Sequence, residues 1–282
     1  MLAKGLTLSE WLAAAYLQLQ KAGIDNARQE ADYLLGHLLQ KNTAYIYAYP
    51  EVELQVKQLE QLEVWLKERI AGKPLAWILG EWEFWGLTLQ VSPPTLIPRA
   101  DTERLVELAL DLTLKPKARV LDLGTGTGAI ALAIKSERPD WQVDAVDFKL
   151  DAVSLARKNA RQLQLDIRVW QSDWWQQVPP QTYDLILSNP PYIHPDDPHL
   201  SQGDLRFEPK TALVGGEDGL QAYRELLTPI QNRLVTGGYL LVEHGYDQAA
   251  AVAALFSLAS LRDVKTYTDY LEQPRVTLGC KT

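Results

Sequence analysis

The segment of this sequence best suited to chemistry is Asn189-Pro190-Pro191-Tyr192, which follows an apolar run that predicts a buried strand. Proline lacks the amide hydrogen that a central strand must donate, so the two prolines predict that the chain leaves the sheet at Asn189. The side-chain oxygen of Asn189 and the main-chain oxygen of Pro190 can then both accept hydrogen bonds from an incoming NH₂ group. We therefore interpret Asn189, Pro190 and Tyr192 as catalytic residues and all four as substrate-binding residues. The structural alternative is a proline-rich loop that only ends a strand.

A second candidate segment, Val120 to Gly128, leads from an apolar strand through a glycine-rich turn into a helix. Glycine tolerates a positive φ and, without a Cβ, lets a ligand approach the backbone closely. Asp147 ends the next predicted strand, where a carboxylate can accept hydrogen bonds from both hydroxyls of a ribose. Together these features predict an adenosine pocket. Its candidate cofactor-binding residues are Asp122, Gly124, Thr125, Gly126, Thr127, Gly128 and Asp147, with Asn189 at its edge.

The glycine loop by itself leaves the cofactor open, because it also meets the loose dinucleotide pattern of a dehydrogenase. A tight turn without a ligand and an Asp147 that only caps a helix are the structural alternatives. Asp122 favours a different cofactor, since a carboxylate beside the turn suits the ammonium group of a methionine better than a pyrophosphate. The sequence therefore predicts S-adenosylmethionine, with S-adenosylhomocysteine as the product.

Methyl transfer to an amide or arylamine nitrogen explains why the tetrapeptide would lie beside the predicted adenosine pocket. The lone pair of such a nitrogen is delocalised and must be aimed along the methyl–sulfur bond. Two hydrogen-bond acceptors that bind the NH₂ group more strongly as the nitrogen becomes pyramidal stabilise the transition state more than the ground state, and so lower the barrier. A strong general base is not required, because the nitrogen becomes acidic once it carries the methyl group. The ring of Tyr192 would form a wall beside the acceptor.

The rest of the chain predicts how these segments are positioned. From about residue 104 helices and strands alternate, which predicts a parallel, doubly wound sheet with its ligands at the carboxyl ends of the strands. Segments 264–267 and 275–278 predict an antiparallel pair at one edge. The fold class is therefore α/β, with a Rossmann-like domain of the class I S-adenosylmethionine methyltransferases.

The N-terminal part has a different pattern, which predicts a small helical domain. Thr7 and Glu10 have capping-box spacing at the start of a first helix, and Asp25 is a candidate cap for a second. The alternating pattern that follows predicts a β-hairpin linker. We predict a helical substrate-recognition domain over residues 1–74, a hairpin linker over 75–103 and a methyltransferase domain over 104–282. The structural alternative for the first is an appendage that only stabilises the fold.

Composition excludes several classes of protein. The chain has 282 residues, of which 46% are hydrophobic and 23% charged, as in ordinary globular proteins. A net charge of −8 argues against a general nucleic-acid binder. We find no targeting segment or membrane span, one cysteine, and four histidines without metal-ligand spacing. These features predict a cytoplasmic protein without a metal, a membrane association or a direct nucleic-acid partner. They do not determine the oligomeric state, for which our expectation is a monomer.

The chain resembles the release-factor glutamine N5-methyltransferases, the HemK/PrmC family, over nearly its whole length. Besides the tetrapeptide 189–192 and the glycine loop, the resemblance rests on the segments 72–80, 84–87, 96–103, 206–209 and 215–220. Ala100 stands where the family often has proline, and Trp77 where tyrosine is usual.

The resemblance implies that the methyl acceptor is the glutamine of the Gly-Gly-Gln loop in peptide chain release factors. It also implies that Trp174 borders the adenine. Arg99, Arg206 and Glu208 belong to the shared segments but have no role that the sequence assigns. Three rival hypotheses remain: a DNA or RNA adenine methyltransferase, a nicotinamide-dependent oxidoreductase and a binding module without activity.

Overall fold

The computed structural model describes residues 5–93 and 95–282. The contacts within the chain divide it into two compact units, and the boundary along the sequence falls between Gly80 and Glu81. Among the described residues, no helix is long and apolar enough to cross a membrane.

The first unit is helical. Its elements are α1 Leu8–Lys21, α2 Ala27–Leu39, α3 Thr43–Ala48, α4 Val56–Ile70 and α5 Leu75–Leu79. The predicted capping box is confirmed, because the Thr7 hydroxyl accepts from the Glu10 amide at 3.3 Å and the Glu10 carboxylate accepts from the Thr7 amide at 2.9 Å. The predicted cap at Asp25 is wrong. Helix α2 has Asn26 at its N-cap, and that side chain makes no capping hydrogen bond.

The second unit begins with a hairpin and continues as an α/β domain. Its strands are β1 Glu81–Phe84, β2 Leu87–Gln90, β3 Arg119–Leu123, β4 Gln142–Asp147, β5 Arg168–Gln171, β6 Tyr183–Ser188, β7 Leu234–Glu243, β8 Arg262–Thr268 and β9 Pro274–Cys280. Its helices are α6 Ala100–Leu110, α7 Ala129–Glu137, α8 Leu150–Leu163, α9 Lys210–Leu213, α10 Gln221–Leu227, α11 Ile230–Arg233 and α12 Ala249–Leu258, with a short 3₁₀ helix at Pro198–Ser201.

The main sheet has seven strands in the order β5-β4-β3-β6-β7-β9-β8. The first five of these strands are parallel, and β9 pairs antiparallel with both β7 and β8. This confirms the predicted doubly wound sheet. The predicted antiparallel pair is also present, and β9 joins it to the parallel strands.

Both faces of the sheet are covered by apolar side chains, which explains why the central strands read as continuous apolar runs. Val120 and Leu185 face a core formed with α6, α7 and α8. Leu121 and Ile186 face a second core with Tyr223 of α10 and residues of α12. The central strands are therefore held firmly on both sides.

The register of the central strands brings their carboxyl ends together. Leu123 of β3 pairs with Val146 on one side and with Ser188 on the other, and Ser188 in turn pairs with Val242. The glycine loop, Asp147, Asn189 and Glu243 therefore leave the sheet at the same edge.

The hairpin β1–β2 falls within the predicted linker and packs with the second unit. The Gln90 amide donates to the side-chain oxygen of Asn159 in α8 at 2.8 Å. The same interval also contains α5 and the start of α6, which the sequence pattern did not separate from the hairpin. The three-part domain division stays a prediction.

Candidate active site

A cavity of about 410 Å³ lies at the carboxyl edge of the sheet. Of the predicted site residues it is lined by Gly124, Thr125, Gly126, Thr127, Asp147, Trp174, Asn189 and Pro191. Pro190 and Tyr192 line an adjoining cavity of about 380 Å³, which shares Asn189. Asp122 and Gly128 line neither cavity.

The glycine loop has the open backbone that the sequence predicts. Gly124 and Gly126 have φ values of +75° and +55°, which L side chains rarely adopt. A Cβ at either position would meet nothing within 4 Å, so the space above this backbone is free for a ligand. The amides of Gly124 and Thr125 both donate to the Val146 carbonyl at 2.9 Å, which fixes the loop to the end of β4.

Gly128 has a packing role instead. A Cβ there would lie 3.1 Å from a Leu132 methyl group and 3.2 Å from the Ala156 side chain. Its missing side chain lets α7 approach α8 closely. The structure therefore places this predicted cofactor residue between helices.

Asp147 lines the cavity and also holds the loop. Its Oδ2 accepts from the Gly126 amide at 2.9 Å, and its Oδ1 accepts from the Lys149 amide at 2.8 Å. Each carboxylate oxygen can accept a further hydrogen bond. Burial raises the pKa of Asp147, and these two amides oppose that shift. The N-cap of α8 is Lys149, and no side-chain cap hydrogen bond is present there, so Asp147 is not the helix cap of the structural alternative. Its carboxylate fixes the loop and keeps acceptor capacity towards the cavity.

Asp122 is fully buried on β3 and stabilises the loop from within the protein. The Thr125 hydroxyl donates to its Oδ2 at 2.5 Å, whereas Oδ1 has no partner among the described residues. Burial raises the pKa of Asp122 to about 7. The Asp122 Oδ1 can therefore accept a further hydrogen bond. Asp122 itself does not line the cavity.

Trp174 lines the cavity in an unusual backbone conformation, with a φ of +45°. The Ser172 hydroxyl donates to the Trp174 carbonyl at 2.7 Å and accepts from the Gln177 amide at 3.1 Å. The turn that carries the indole is thus fixed by its own hydrogen bonds. Asp173 lines the same cavity.

Two oxygens of the tetrapeptide have no hydrogen-bond partner among the residues that the structure describes. The Asn189 amide nitrogen donates to the Thr102 hydroxyl at 3.0 Å, which leaves the Asn189 Oδ1 free. Among the described residues none donates a hydrogen bond to that oxygen or to the Pro190 carbonyl. The structure therefore leaves both of these oxygens unpartnered within its described part, and Thr102 orients the Asn189 amide. Their role as acceptors of a substrate NH₂ group stays a prediction.

Tyr192 is anchored through both its backbone and its side chain. Its carbonyl accepts from the Gln248 side-chain Nε2 at 2.9 Å, and its backbone amide donates to the Leu213 carbonyl at 3.1 Å. Its hydroxyl donates to Oε1 of Glu243 at 3.4 Å. Burial, followed by the charge of Glu243, raises the pKa of Tyr192 well above its usual value, so the phenol stays protonated.

Arg99 and Glu208 form an ion pair beside the cavities. The Arg99 guanidinium donates to Oε2 of Glu208 at 2.5 Å, and the Ile97 amide donates to Oε1 at 3.0 Å. The Glu208 side chain is completely buried. The pair ties the segment before α6 to the segment before α9, and Arg99 lines both cavities. Arg206 lies over the Phe207 ring at 4.9 Å.

Three residues of this site were not predicted from the sequence. Phe148 lines the larger cavity and is 55% exposed, so its ring is available to a ligand. Thr102, in the first turn of α6, orients Asn189. Glu243 lines the smaller cavity. The signal for Glu243 was a charged residue at the end of a predicted central strand, next to the strand that precedes the tetrapeptide.

Comparisons with known proteins agree with this fold. Residues 102–202 match the family model Methyltransferase small domain. A methyltransferase from Pyrococcus furiosus has the same fold, with a TM-score of 0.55 and 19% identity over 79% of this chain and 98% of that one. Fold and site thus define an S-adenosylmethionine-dependent methyltransferase.

The particular family is given by closer relatives. Release factor glutamine methyltransferase of Escherichia coli is 48% identical over 270 residues, covering 95% of this chain and 97% of that protein. The protein of the same name from Vibrio cholerae is 48% identical over 276 residues, with 97% and 96% covered. Residues 10–80 match the family model PrmC N-terminal domain. The chain belongs to the release factor glutamine methyltransferase family, which confirms the resemblance seen in the sequence.

Proposed function

We propose that this protein transfers a methyl group from S-adenosylmethionine to the side-chain amide nitrogen of a glutamine in peptide chain release factors. We identify that glutamine as the one in the Gly-Gly-Gln loop. The observation that carries the proposal is the pair of free oxygens at Asn189 and Pro190 beside a cavity whose glycine loop leaves its backbone open. Membership of the family supports the same substrate.

The residues of the larger cavity fit S-adenosylmethionine. Its volume of about 410 Å³ lies in the range of ligand sites. Asp147 would hold the ribose hydroxyls, the loop at Gly124 and Gly126 would lie against the methionine portion, and Trp174 would border the adenine. The bound cofactor supplies an electrophilic methyl group. Asp122 would act through Thr125, which its carboxylate holds in place.

The tetrapeptide provides what the acceptor needs. The Asn189 Oδ1 and the Pro190 carbonyl would each accept one hydrogen of the glutamine NH₂ and so orient its lone pair. The neutral Tyr192 would form a wall without acting as a base. This division of roles matches a nitrogen whose proton becomes acidic only after methylation.

The direct test uses a labelled methyl donor, the full-length protein and a purified release factor with its Gly-Gly-Gln loop. We expect one methyl group on the loop glutamine, located by mass spectrometry, and no label on a release factor whose loop glutamine is replaced by alanine. Equal labelling of the two substrates would reject the proposed acceptor. DNA and RNA duplexes in parallel reactions test the adenine alternative, and we expect them to remain unlabelled.

We further propose that the helical unit recognises the release factor. It contains a cavity of about 300 Å³ lined by Leu12, Tyr16 and Tyr47, among others, and the Tyr47 hydroxyl donates to Asp32 at 3.0 Å. A Tyr16→Ala variant should raise KM for the release factor while kcat and the Kd for S-adenosylmethionine stay unchanged. An unchanged KM would contradict this role.

We also propose that the protein acts as a cytoplasmic monomer without direct nucleic-acid contact. The net charge of −8 supports the absence of nucleic-acid binding. Light scattering of the purified protein should give a mass close to 31.8 kDa. A doubled mass would contradict the monomer.

A further inference from the structure

Arg99 borders both cavities of the candidate site, and the proposed chemistry gives it no task. It lies directly before α6, and its side chain is 34% exposed. It lines the larger cavity with the glycine loop and the smaller cavity with Asn189, Pro190 and Tyr192. Its side chain therefore adjoins the place where the proposed acceptor amide would lie.

One side of the Arg99 guanidinium is fixed by the protein itself. Its Nη2 donates to Oε2 of Glu208 at 2.5 Å, and the Ile97 amide donates to Oε1 of the same carboxylate at 3.0 Å. The Glu208 side chain is completely buried and thus held firmly by its surroundings. This ion pair positions the guanidinium before a substrate binds, which lowers the cost of ordering it on binding.

The other side of the Arg99 guanidinium has unused donors. An arginine side chain has five N–H groups on three nitrogens. Within the described part of the chain, Nη2 makes a hydrogen bond to Glu208, whereas Nε and Nη1 have no partner. About a third of the Arg99 side chain is exposed, although its ion-pair partner is not. Arg99 can therefore keep its ion pair and bind a second acceptor.

The larger cavity has donors other than Arg99. Ala129 and Ile130 at the start of α7 line it, and the first amides of a helix have no partner within that helix. The Lys149 ammonium belongs to another residue of the same lining. An anionic group of the cofactor therefore has donors available without Arg99.

The smaller cavity is poor in donors by comparison. Of the described residues that line it, Arg99 is the only cation, and the other charged residues are Asp101 and Glu243. The Tyr192 hydroxyl already donates to Glu243 at 3.4 Å. A carbonyl oxygen that enters this cavity would meet several acceptors, and Arg99 is the charged group that can donate to it.

The proposed substrate loop offers carbonyl oxygens of this kind. Glycine has no side chain, so beyond its glutamine a Gly-Gly-Gln segment can be recognised only through its main chain. A peptide carbonyl that leaves water for a cavity needs a donor to replace its lost hydrogen bond. A hydrogen bond from a charged donor is stronger than one between neutral groups.

We propose, on the basis of the methyl transfer proposed above, that Arg99 binds the release factor by donating a hydrogen bond to a main-chain carbonyl of the Gly-Gly-Gln loop. Glu208 holds the guanidinium in place, while Asn189 and Pro190 receive the glutamine amide. Arg99 thus fixes the main chain of the loop beside its reacting side chain. This contact is equally strong before and during methyl transfer, so it contributes to the affinity for the release factor and not to the chemical step.

The test compares wild type with Arg99→Lys, using the release factor and the labelled donor. Lysine keeps a positive charge for the buried Glu208 but lacks the planar fork that can serve two acceptors at once. We expect KM for the release factor to rise about tenfold, while kcat and the Kd for S-adenosylmethionine stay within about twofold. Arg161→Lys, at an exposed position in α8, is the matched control and should leave all three unchanged.

A second variant separates substrate binding from a bracing role of the ion pair. Glu208→Gln removes the charge of the anchor but keeps an acceptor oxygen and leaves Arg99 in place. A contact between Arg99 and the substrate predicts that Arg99→Lys raises KM more than Glu208→Gln does. An ion pair that only braces the two segments predicts the reverse order, because Arg99→Lys preserves the charge pair and Glu208→Gln does not. The reverse order would therefore overturn the proposal.

Two further outcomes would overturn it: a KM of Arg99→Lys equal to that of Arg161→Lys, or a Kd for S-adenosylmethionine that rises as much as KM. The second result would assign Arg99 to the cofactor. Thermal unfolding measures the folded fraction of each variant. If Arg99→Lys does not fold, the double variant Arg99→Gln/Glu208→Gln replaces it, since it leaves no unpaired buried charge, and an unchanged KM would then be decisive. If wild type fails to label the loop glutamine, the proposed function fails, which distinguishes that result from a failure of the Arg99 contact.

Discussion

At the scale of single residues, the proposed methyl transfer depends on the orientation of one amide, that of Asn189. Asn189 has a donor end and an acceptor end of the same size, and a substrate NH₂ group can use only the acceptor end. Thr102 takes the donor end at 3.0 Å. The Pro190 carbonyl adds a second acceptor, because no strand pairs with it. The sequence predicted both oxygens, but the residue that selects between the two ends of Asn189 lies far away in the chain.

Replacing Asn189 by alanine removes one of the two acceptors but leaves the glycine loop and Asp147 intact. We expect Asn189→Ala to lower kcat about 100-fold or more, since the lost hydrogen bond acts mainly at the transition state. The Kd for S-adenosylmethionine, measured by calorimetry, should change little. Asn232→Ala, at an exposed position in α11, serves as the control. Turnover of Asn189→Ala equal to that of the control would contradict the assigned role.

At the scale of elements, the tetrapeptide is held by the glycine-rich segment 215–219. A Cβ on Gly215 would lie 2.6 Å from the Pro191 carbonyl oxygen and 2.8 Å from the Tyr192 Cα. A Cβ on Gly219 would lie 2.6 Å from the Tyr192 carbonyl oxygen. The bridge between Ile193 and Val214 continues this contact. The segment therefore acts as a close-fitting support for the backbone that carries the two acceptors.

Gly215→Ala must move the tetrapeptide, because the atoms that its Cβ would meet belong to the backbone and cannot rotate away. We expect kcat for glutamine methylation to fall at least about tenfold, since small displacements of positioned groups are costly. Binding of S-adenosylmethionine should persist. Gly237→Ala is the control: its φ of +76° makes it strained, but its Cβ would meet nothing within 4 Å. If Gly215→Ala and Gly237→Ala had the same kcat after correction for the folded fraction, the proposed support of the tetrapeptide by Gly215 would be wrong.

At the scale of the whole molecule, one sheet edge carries several buried acids, and this affects stability as well as chemistry. Burial raises the pKa of Asp122 from 3.8 to about 7. Between these values the folded chain keeps a proton that the unfolded chain releases. The stabilisation from this group is therefore complete below about pH 4 and is lost as the pH rises through about 7.

Asp122→Asn cannot lose a proton and should flatten this dependence. We expect the free energy of unfolding of wild type, measured with urea in the absence of S-adenosylmethionine, to fall more between pH 5 and pH 8 than that of Asp122→Asn. Asp151→Asn, at an exposed position in α8, should follow wild type. Parallel curves for wild type and Asp122→Asn would contradict a raised pKa at this site.

Much of the architecture follows from local patterns. Strand β3 ends at Leu123, directly before the glycine loop, and strand β4 ends at Asp147, as the sequence predicted, because each is a clear apolar run with glycine or polar residues at its end. The short helices α3 and α5 and the first turns of α6 were missed. Helices of five or six residues show little periodicity, and tertiary packing rather than intrinsic propensity stabilises them.

The sequence by itself determined the fold class, the family, the glycine loop and the tetrapeptide, because all of these are encoded in contiguous segments or in simple periodicity. Only the tertiary structure decided that Asp122 supports the loop without lining the cavity, that Gly128 serves helix packing, and that Thr102 and Glu243 adjoin Asn189. These relations depend on strand order and register, which bring together residues far apart in the chain. Local pattern contains no information about which end of an amide side chain a distant hydroxyl will hold.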